Sequence, residues 1–318
     1  MSAPSETRNE LEVSVIVASH NRRELLRRCL ESLAAQDFDS FEAIVVEDGS
    51  EDGSAAMAES LELPYPLKVR RIEKSGHAAA QNAGLELAVG SRCLLLDDDM
   101  VASPGLVRAH AEAHREQPRC IGIGVVEQRP PEGGDWYARS HAKAWNAHYE
   151  EFDQRSAEWT DCYGANLSAP LDVMRQIGGV STAVPTGKDL DLGYRLTRAG
   201  CTPTYLPRAH GVHDDGKHSR RMLEDAARQG AMHLELTHRH PERAERLLSW
   251  NDRAGGKELA LRRLLIALHV PPRLLAPLGG LIPGRERQLL WYSIVRRYAF
   301  WRRVRQEVDR QEWKSLTR

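Results

Sequence analysis

Three consecutive carboxylates, Asp97, Asp98 and Asp99, follow the apolar run Cys93 to Leu96 in the stretch RCLLLDDDM. Like charges side by side repel each other, so the cluster either lies in water as a polar turn or surrounds a positively charged ligand. The apolar run before it predicts a buried strand, which disfavours the solvated turn. Because side chains alternate along a strand, Asp97 and Asp99 are predicted to share a face, with Asp98 pointing elsewhere.

The first hundred residues predict the elements that position these carboxylates. Apolar, β-branched runs predict strands at 13–18, 41–48, 67–73 and 92–99, with helical patterns between them. Such alternation is typical of a mostly parallel sheet with helices on its faces, and such sheets bind ligands at the carboxyl ends of their strands. Three of these ends carry polar stretches, namely ASHNR, EDGS and DDDM. The sequence therefore predicts a functional site at that edge.

The alternation loosens after about Cys120. The patterns predict strands at 120–129 and 202–207, helices at 135–152, 171–179 and 187–200, and a loop, HGVHDDGKHS, rich in side chains that bind metals. Beyond Ser219 the chain is predicted to be helical, basic and amphipathic.

Charge is unevenly distributed. Residues 1–250 contain 29 Lys and Arg against 39 Asp and Glu, whereas residues 251–318 contain 15 against 6. This tail includes LLIALHVPPRLLAPLGGLIP and LLWYSIVRRYAFWRRVRQEV, and the second stretch places aromatic residues beside arginines. Two interpretations stay open: the tail contacts an anionic membrane surface, or its aromatic residues pack on the rest of the chain or on a second subunit.

The chain is expected to work in a reducing compartment. Its five cysteines are scattered without a C-x-x-C pair, its first residues do not resemble a secretory signal, and its apolar runs are too short to span a bilayer. We therefore expect a cytoplasmic protein, with the inner face of the membrane as an option.

Five motifs resemble those of the family 2 inverting glycosyltransferases of bacterial type. They are VSVIVASHNR, EAIVVEDGSEDGS, GHAAAQNAGLELAVGSRCLLLDDDM, GANLSAPLDVMRQIGG and GKDLDLGYRLTRAG, in that family's order and spacing over roughly residues 11 to 215. The resemblance implies an α/β GT-A fold with a mostly parallel central sheet, flanking helices and a helical C-terminal extension. It implies a catalytic domain at 1–218, with a nucleotide-sugar half at about 11–100 and an acceptor half at about 101–218, followed by a helical basic extension at 219–318.

The same resemblance implies a function. Such a protein moves a sugar, in the manner of a hexosyltransferase, from a nucleoside diphosphate sugar to a hydroxyl group by a single displacement. A UDP-sugar is the favoured donor, Mn²⁺ or Mg²⁺ the cofactor, and a glycan, a lipid-linked molecule or a small molecule the acceptor, as in polysaccharide biosynthesis. Nucleic acid is not an expected partner, and a homodimer is one option.

The resemblance also implies roles for residues on the donor side. Carboxylates cannot hold a diphosphate directly, so a divalent cation must lie between them. The implied metal ligands are Asp97, Asp99 and His213, with His210 and His218 as alternatives and a three-histidine zinc site as a weaker one. The implied donor-binding residues are Ala18, Ser19, Asn21, Asp48, His77, Asn82 and Asp98.

Asp189 matches the family's catalytic base, which takes the proton of the acceptor hydroxyl. The alternative is structural, since an aspartate at a helix start satisfies free N–H groups, and Asp191 could also fill that role. The implied acceptor-side residues are Tyr163, Gly164, Asn166 and Asp161.

Two positions depart from the family pattern. Gln81 stands where the family has arginine, and Lys188 stands where it has glutamate. They support an alternative in which the protein is a degenerate transferase that binds nucleotide sugars without catalysis. A nucleotidyltransferase or an NAD-dependent dehydrogenase is disfavoured, because no glycine-rich phosphate loop follows the first strand.

Overall fold

The computed structural model describes residues 11–130, 132–133, 135–183, 188–213, 219–243 and 255–316. These residues form two compact units. The first comprises the described residues of 1–128, 148–183 and 188–215, and the second those of 129–147 and 216–318. The domain boundary predicted at residues 218 and 219 stays a prediction.

The first unit is built on an eight-stranded mixed sheet. Its strands are β1 (Val13–Ser19), β2 (Phe41–Asp48), β3 (Leu67–Ile72), β4 (Arg92–Asp97), β5 (Met100–Ala102), β6 (Cys120–Gln128), β7 (Asn166–Pro170) and β8 (Thr202–His213). The strand order is β3-β2-β1-β4-β7-β6-β8-β5. Neighbours from β3 to β4 are parallel, as are β6 and β8, whereas β7 is antiparallel to β4 and β6, and β5 to β8.

Helices accompany the strands in the predicted alternation. They are α1 (Arg23–Ala34), α2 (Ser54–Glu59), α3 (His77–Leu87), α4 (Leu106–Glu116), α5 (Trp136–Glu150), α6 (Leu171–Gln176) and α7 (Lys188–Arg198), with short 3₁₀ turns at Glu151–Asp153 and Trp159–Asp161. Helix α1 shows why the pattern was informative. It buries Leu26, Cys29, Leu30 and Leu33, which recur at helical spacing on one face.

Two parts of the second half differ from the prediction. Strand β7 was not predicted, because its sequence NLSAP lacks an apolar run. It is nevertheless fully buried, and Ser168 is satisfied by hydrogen bonds with His110 and His114 of α4. The loop predicted from His210 is wrong as far as His213, since β8 extends through these residues. The remainder of that loop, including His218, lies outside the described residues.

The second unit is helical where it is described after residue 218. Its elements are α8 (Ser219–Arg239), a 3₁₀ turn at Pro241–Arg243, α9 (Gly256–Ala267), α10 (Pro272–Leu275), a 3₁₀ helix at Ala276–Leu281, α11 (Arg285–Glu307) and α12 (Arg310–Leu316). Helices α8 and α11 approach closely at Gly230, where a Cβ atom would lie 2.4 Å from the carbonyl oxygen of Phe300. None of the described helices combines the length and the apolar character that crossing a membrane requires.

The aromatic residues of the second tail stretch form the core of this unit. Tyr292, Tyr298, Phe300 and Trp301 are each at most 4% exposed. Of the two interpretations of this tail, packing on the rest of the chain holds for these four side chains, because helix α11 turns them inward against the apolar residues of α8 and α9.

Candidate active site

The carboxyl ends of β1, β2 and β4 meet at one edge of the sheet. Ala18 is paired with Asp97 in the parallel register of β1 and β4. The hydroxyl of Ser19 donates a hydrogen bond to Oδ2 of Asp98 over 2.7 Å. Asn21, whose φ of 52° is left-handed, joins the loops after β1 and β2, since its N–H donates to Oγ of Ser50 and its Oδ1 accepts from the N–H of Glu51.

Asp97, Asp99 and His213 form a group that could hold a metal ion. One ligand atom of each lies within 4.8 Å of the others. Strand β4 ends at Asp97 and a turn redirects Asp99, so a turn rather than strand alternation brings these two together. His213 arrives because it pairs with Met100 across β5 and β8. Its Nε2 lies 3.1 Å from Oδ1 of Asp99.

The chemistry of this group fits a divalent cation. Oδ1 of Asp99 is buried and accepts no hydrogen bond from the part of the chain that the structure describes. Two carboxylates and an imidazole offer the oxygen and nitrogen donors that Mn²⁺ accepts, and the carboxylates also suit Mg²⁺. His210 is directed elsewhere, since its Nδ1 lies 3.0 Å from Oγ of Ser103 and its Nε2 lies 3.1 Å from Glu127.

Arg22 is a site residue that the sequence analysis did not single out. Its Nη1 lies 3.0 Å from Oδ1 of Asp98 and 2.7 Å from Oδ2 of Asp99, so it offsets part of the negative charge of the cluster. The position of Arg22 in the short loop between β1 and α1, at the predicted functional edge, could have indicated this role from the sequence. Burial raises the pKa of Asp98 to about 6, against the effect of the hydrogen bond from Ser19.

A second positive group lies beside Asp97. Nε2 of His77 is 3.5 Å from Oδ1 of Asp97. The amino group of Lys188 contacts Nδ1 of His77 and lies 3.3 Å from Oε1 of Gln81. Burial alone would raise the pKa of Asp97, but the hydrogen bond with His77 and the charges of His77 and Lys188 bring it below its ordinary value.

Asp189 lies at the start of α7, against the backbone of Gly164. The N–H of Gly164 donates to its carboxylate, and a Cβ atom on Gly164 would lie only 2.6 Å from Oδ1 of Asp189. Burial raises the pKa of Asp189 above its ordinary value, partly opposed by the charge of Lys188. Asp191 is engaged by Arg195, whose Nε lies 2.6 Å from its carboxylate.

The structure uses two of the predicted donor-binding residues to hold loops. The carboxylate of Asp48 accepts hydrogen bonds from the N–H groups of Ser75 and Gly76, over 2.6 and 3.0 Å. The amide of Asn82 exchanges two hydrogen bonds of 2.8 Å with the backbone of Val180. The amide of Asn82 thus contacts the backbone of Val180 and not Asp97, Asp98 or Asp99. Its role in donor binding stays a prediction.

The predicted acceptor residues separate into two kinds. Asn166 is fully buried, and its amide bonds His110 and the carbonyl groups of Val125 and Ala209, so it positions β7. Asp161 is buried, and its carboxylate accepts from Arg155 over 2.7 and 2.8 Å. Tyr163 is half-buried, and the next residue, Gly164, lies against Asp189.

The sequence of the first unit decides the family. Residues 14–174, half of the chain, match the family profile described as Glycosyl transferase family 2. The chain belongs to this family. One relative, the uncharacterized glycosyltransferase YfnE of Bacillus subtilis (strain 168), is 33% identical over 150 residues, which cover 46% of this chain and 35% of that protein. The validoxylamine A glucosyltransferase of Streptomyces hygroscopicus subsp. jinggangensis is 27% identical over 239 residues, covering 66% of this chain and 57% of that protein.

Two solved structures share the fold of this chain. The mannosyltransferase PcManGT from Pyrobaculum calidifontis, in complex with GDP-Man and Mn²⁺, superposes with a TM-score of 0.59 at 18% identity, covering 91% of this chain and 86% of that one. S. aureus TarS 1-349, in complex with UDP-GlcNAc, gives 0.55 at 16% identity, covering 93% and 92%. The predicted GT-A fold with a helical C-terminal region is thereby confirmed. The chain spans only about a third to two thirds of the length of the first curated relatives it matches.

Proposed function

We propose that this family 2 protein is a metal-dependent inverting glycosyltransferase that moves a sugar from a nucleoside diphosphate sugar to a hydroxyl acceptor. The observation that carries the proposal is the convergence of Asp97, Asp99 and His213 at the strand edge, with Asp189 near enough to Asp97 for their charges to interact. In this proposal, one edge of the sheet provides both the cation ligands and the base.

The donor diphosphate would lie between the metal group and the positive side chains beside it. A bound Mn²⁺ or Mg²⁺ would offset the negative charge that develops on the leaving phosphate. Arg22 contacts Asp98 and Asp99, while His77 contacts Asp97 and Lys188 contacts His77 and Gln81. Lys188 would thus supply the positive charge that an arginine at position 81 provides in the family pattern. The two similar solved structures contain GDP-Man and UDP-GlcNAc, which supports a nucleotide sugar as the donor. We propose a UDP-sugar as the first donor to test.

Asp189 would remove the proton from the acceptor hydroxyl as that oxygen attacks the anomeric carbon. Its raised pKa makes it a stronger proton acceptor than an ordinary aspartate, provided that it is ionised. One base and one displacement invert the anomeric configuration without a covalent intermediate. The engagement of Asp191 by Arg195 leaves Asp189 as the carboxylate of this helix that can act on an acceptor.

A panel of UDP- and GDP-sugars with Mn²⁺ or Mg²⁺ tests the proposal through donor hydrolysis or transfer. Asp189→Asn is expected to bind the donor but to lose about 10²–10⁴-fold in rate, the usual effect of removing a general base. Asp191→Asn is the matched control on the same helix. If native protein binds a donor yet neither hydrolyses nor transfers it with any acceptor tried, the degenerate binding module is the better description.

A further inference from the structure

The exposed apolar side chains of this protein are concentrated in one short segment. Among the described residues seven large hydrophobic side chains are exposed, and six of them are leucines between residues 264 and 290. We call them the leucine surface: Leu264, Leu268, Leu274, Leu278, Leu281 and Leu290. Leu281 is 82% exposed. Single exposed leucines are ordinary, but six within 27 residues of one unit indicate a surface that has a partner.

The core of the second unit does not need these leucines. The same segment sends Leu265, Leu275 and Ala276 inward, where they pack with Tyr292 and Val295. Helices α9 and α10 and the 3₁₀ helix at Ala276–Leu281 are therefore apolar on the inner side, whereas their exposed side combines leucines with Arg263 and Arg273.

The charge around the leucine surface identifies the partner. Between residues 259 and 290 there are five arginines and a single acidic residue, Glu286. Arg263, Arg273, Arg285 and Arg287 are exposed among or next to the leucines. Leucines that enter the boundary between lipid tails and headgroups, with arginines at the level of the phosphates, are typical of peripheral membrane binding. Two copies meeting through this surface about a two-fold axis would instead bring like charges together.

We propose that the leucine surface docks the protein on a bilayer of anionic phospholipids. The contact is peripheral, since no described helix can span a membrane. It divides the two interpretations of the tail between different residues. The aromatic residues of α11 are the core of the unit, and the leucines interrupted by prolines form the surface that meets lipid.

Vesicle co-sedimentation of the full chain, without nucleotide sugar, tests this surface. The native protein should bind vesicles of phosphatidylcholine mixed with phosphatidylglycerol, bind phosphatidylcholine alone weakly, and lose binding as salt is added. Replacing Leu274, Leu278 and Leu281 together by serine should weaken binding on the order of 100-fold. Val89→Ser is the matched control, because Val89 is the remaining exposed large hydrophobic, 64% exposed and in the first unit.

The contribution of charge is tested separately. Arg285→Gln with Arg287→Gln should reduce binding to anionic vesicles and its salt dependence, whereas Arg23→Gln with Arg28→Gln on α1 should not. Unchanged circular dichroism of every variant establishes that it is folded, which is expected because all these side chains are exposed.

Several outcomes would overturn the proposal. They are no binding of the native chain to either vesicle, equal binding to both, and full binding by the triple serine variant. A native dimer that the triple serine variant converts to a monomer, without vesicle binding, would assign the leucine surface to self-association. Asp189→Asn should bind vesicles as the native protein does, so a failure of membrane docking and a failure of the proposed transfer are distinguishable.

Discussion

Gly164→Ala should displace the proposed base without removing it. A Cβ atom at this position would lie 2.6 Å from Oδ1 and 3.1 Å from Cγ of Asp189, whereas ordinary contacts begin at 3.4 Å. The new methyl group and the carboxylate must therefore separate by about 0.8 Å to reach an ordinary contact distance. We expect the carboxylate to move, because it is the end of a side chain, whereas the new Cβ atom is fixed to the backbone of residue 164. Since a misplacement near 1 Å can reduce rates by up to about 100-fold, we expect turnover to fall by about 10- to 100-fold.

The assay measures turnover and donor affinity together. Donor binding by calorimetry should be nearly unchanged in Gly164→Ala, because the metal group and the positive residues are intact. Gly105→Ala is the matched control in the first unit: a Cβ atom there meets nothing within 4 Å, and its φ of −92° suits alanine. If Gly164→Ala turns over at the native rate, Asp189 is not the positioned base. A loss equal in both variants would show a general effect on stability.

Two further predictions concern charge in the first unit. Lys188→Met should weaken donor binding by about 10- to 100-fold, the usual loss for a charge-assisted hydrogen bond. Adding Gln81→Arg to that variant should restore part of the donor affinity. If calorimetry finds no loss of affinity in Lys188→Met, Lys188 is not part of the donor site. His110 is neutral in the folded state, because burial lowers its pKa to about 4. Between that value and about 6.5 this histidine binds a proton in the unfolded chain and not in the folded one, so His110 alone should lower the free energy of unfolding by about 3 kcal/mol from pH 7 to pH 4. Urea denaturation at several pH values measures this, and His110→Gln should show a smaller dependence.

Local patterns in the sequence were sufficient for the first half of the fold. The strands that end in Ser19, Asp48 and Asp97 are apolar runs followed by polar residues, and the parallel pairing follows from the alternation with helices. Strand β7 could not be predicted in this way. Its Asn166 and Ser168 look polar, but they are buried because the histidines of α4, far away in sequence, satisfy their hydrogen bonds.

The same distinction holds for the site. The sequence indicated Asp97, Asp99 and His213 through the family resemblance, and the structure brings them together through the pairing of β5 with β8. The contacts of Arg22 and of Lys188 with partners 76 and 107 residues away could not be inferred from spacing alone. They depend on which loops the tertiary fold brings side by side.

The metal affinity of the carboxylate group tests the central claim most directly. Titration of Mn²⁺ followed by electron paramagnetic resonance, with and without UDP, counts bound metal independently of turnover. We expect the native protein to bind one Mn²⁺, more tightly with UDP present. Asp99→Asn should weaken binding by about 10-fold or more, because it removes a charged ligand. Asp98→Asn, which changes the neighbouring carboxylate outside the group, should retain most of it. Equal Mn²⁺ affinity in the native protein and Asp99→Asn, or no binding by the native protein at all, would contradict the assignment.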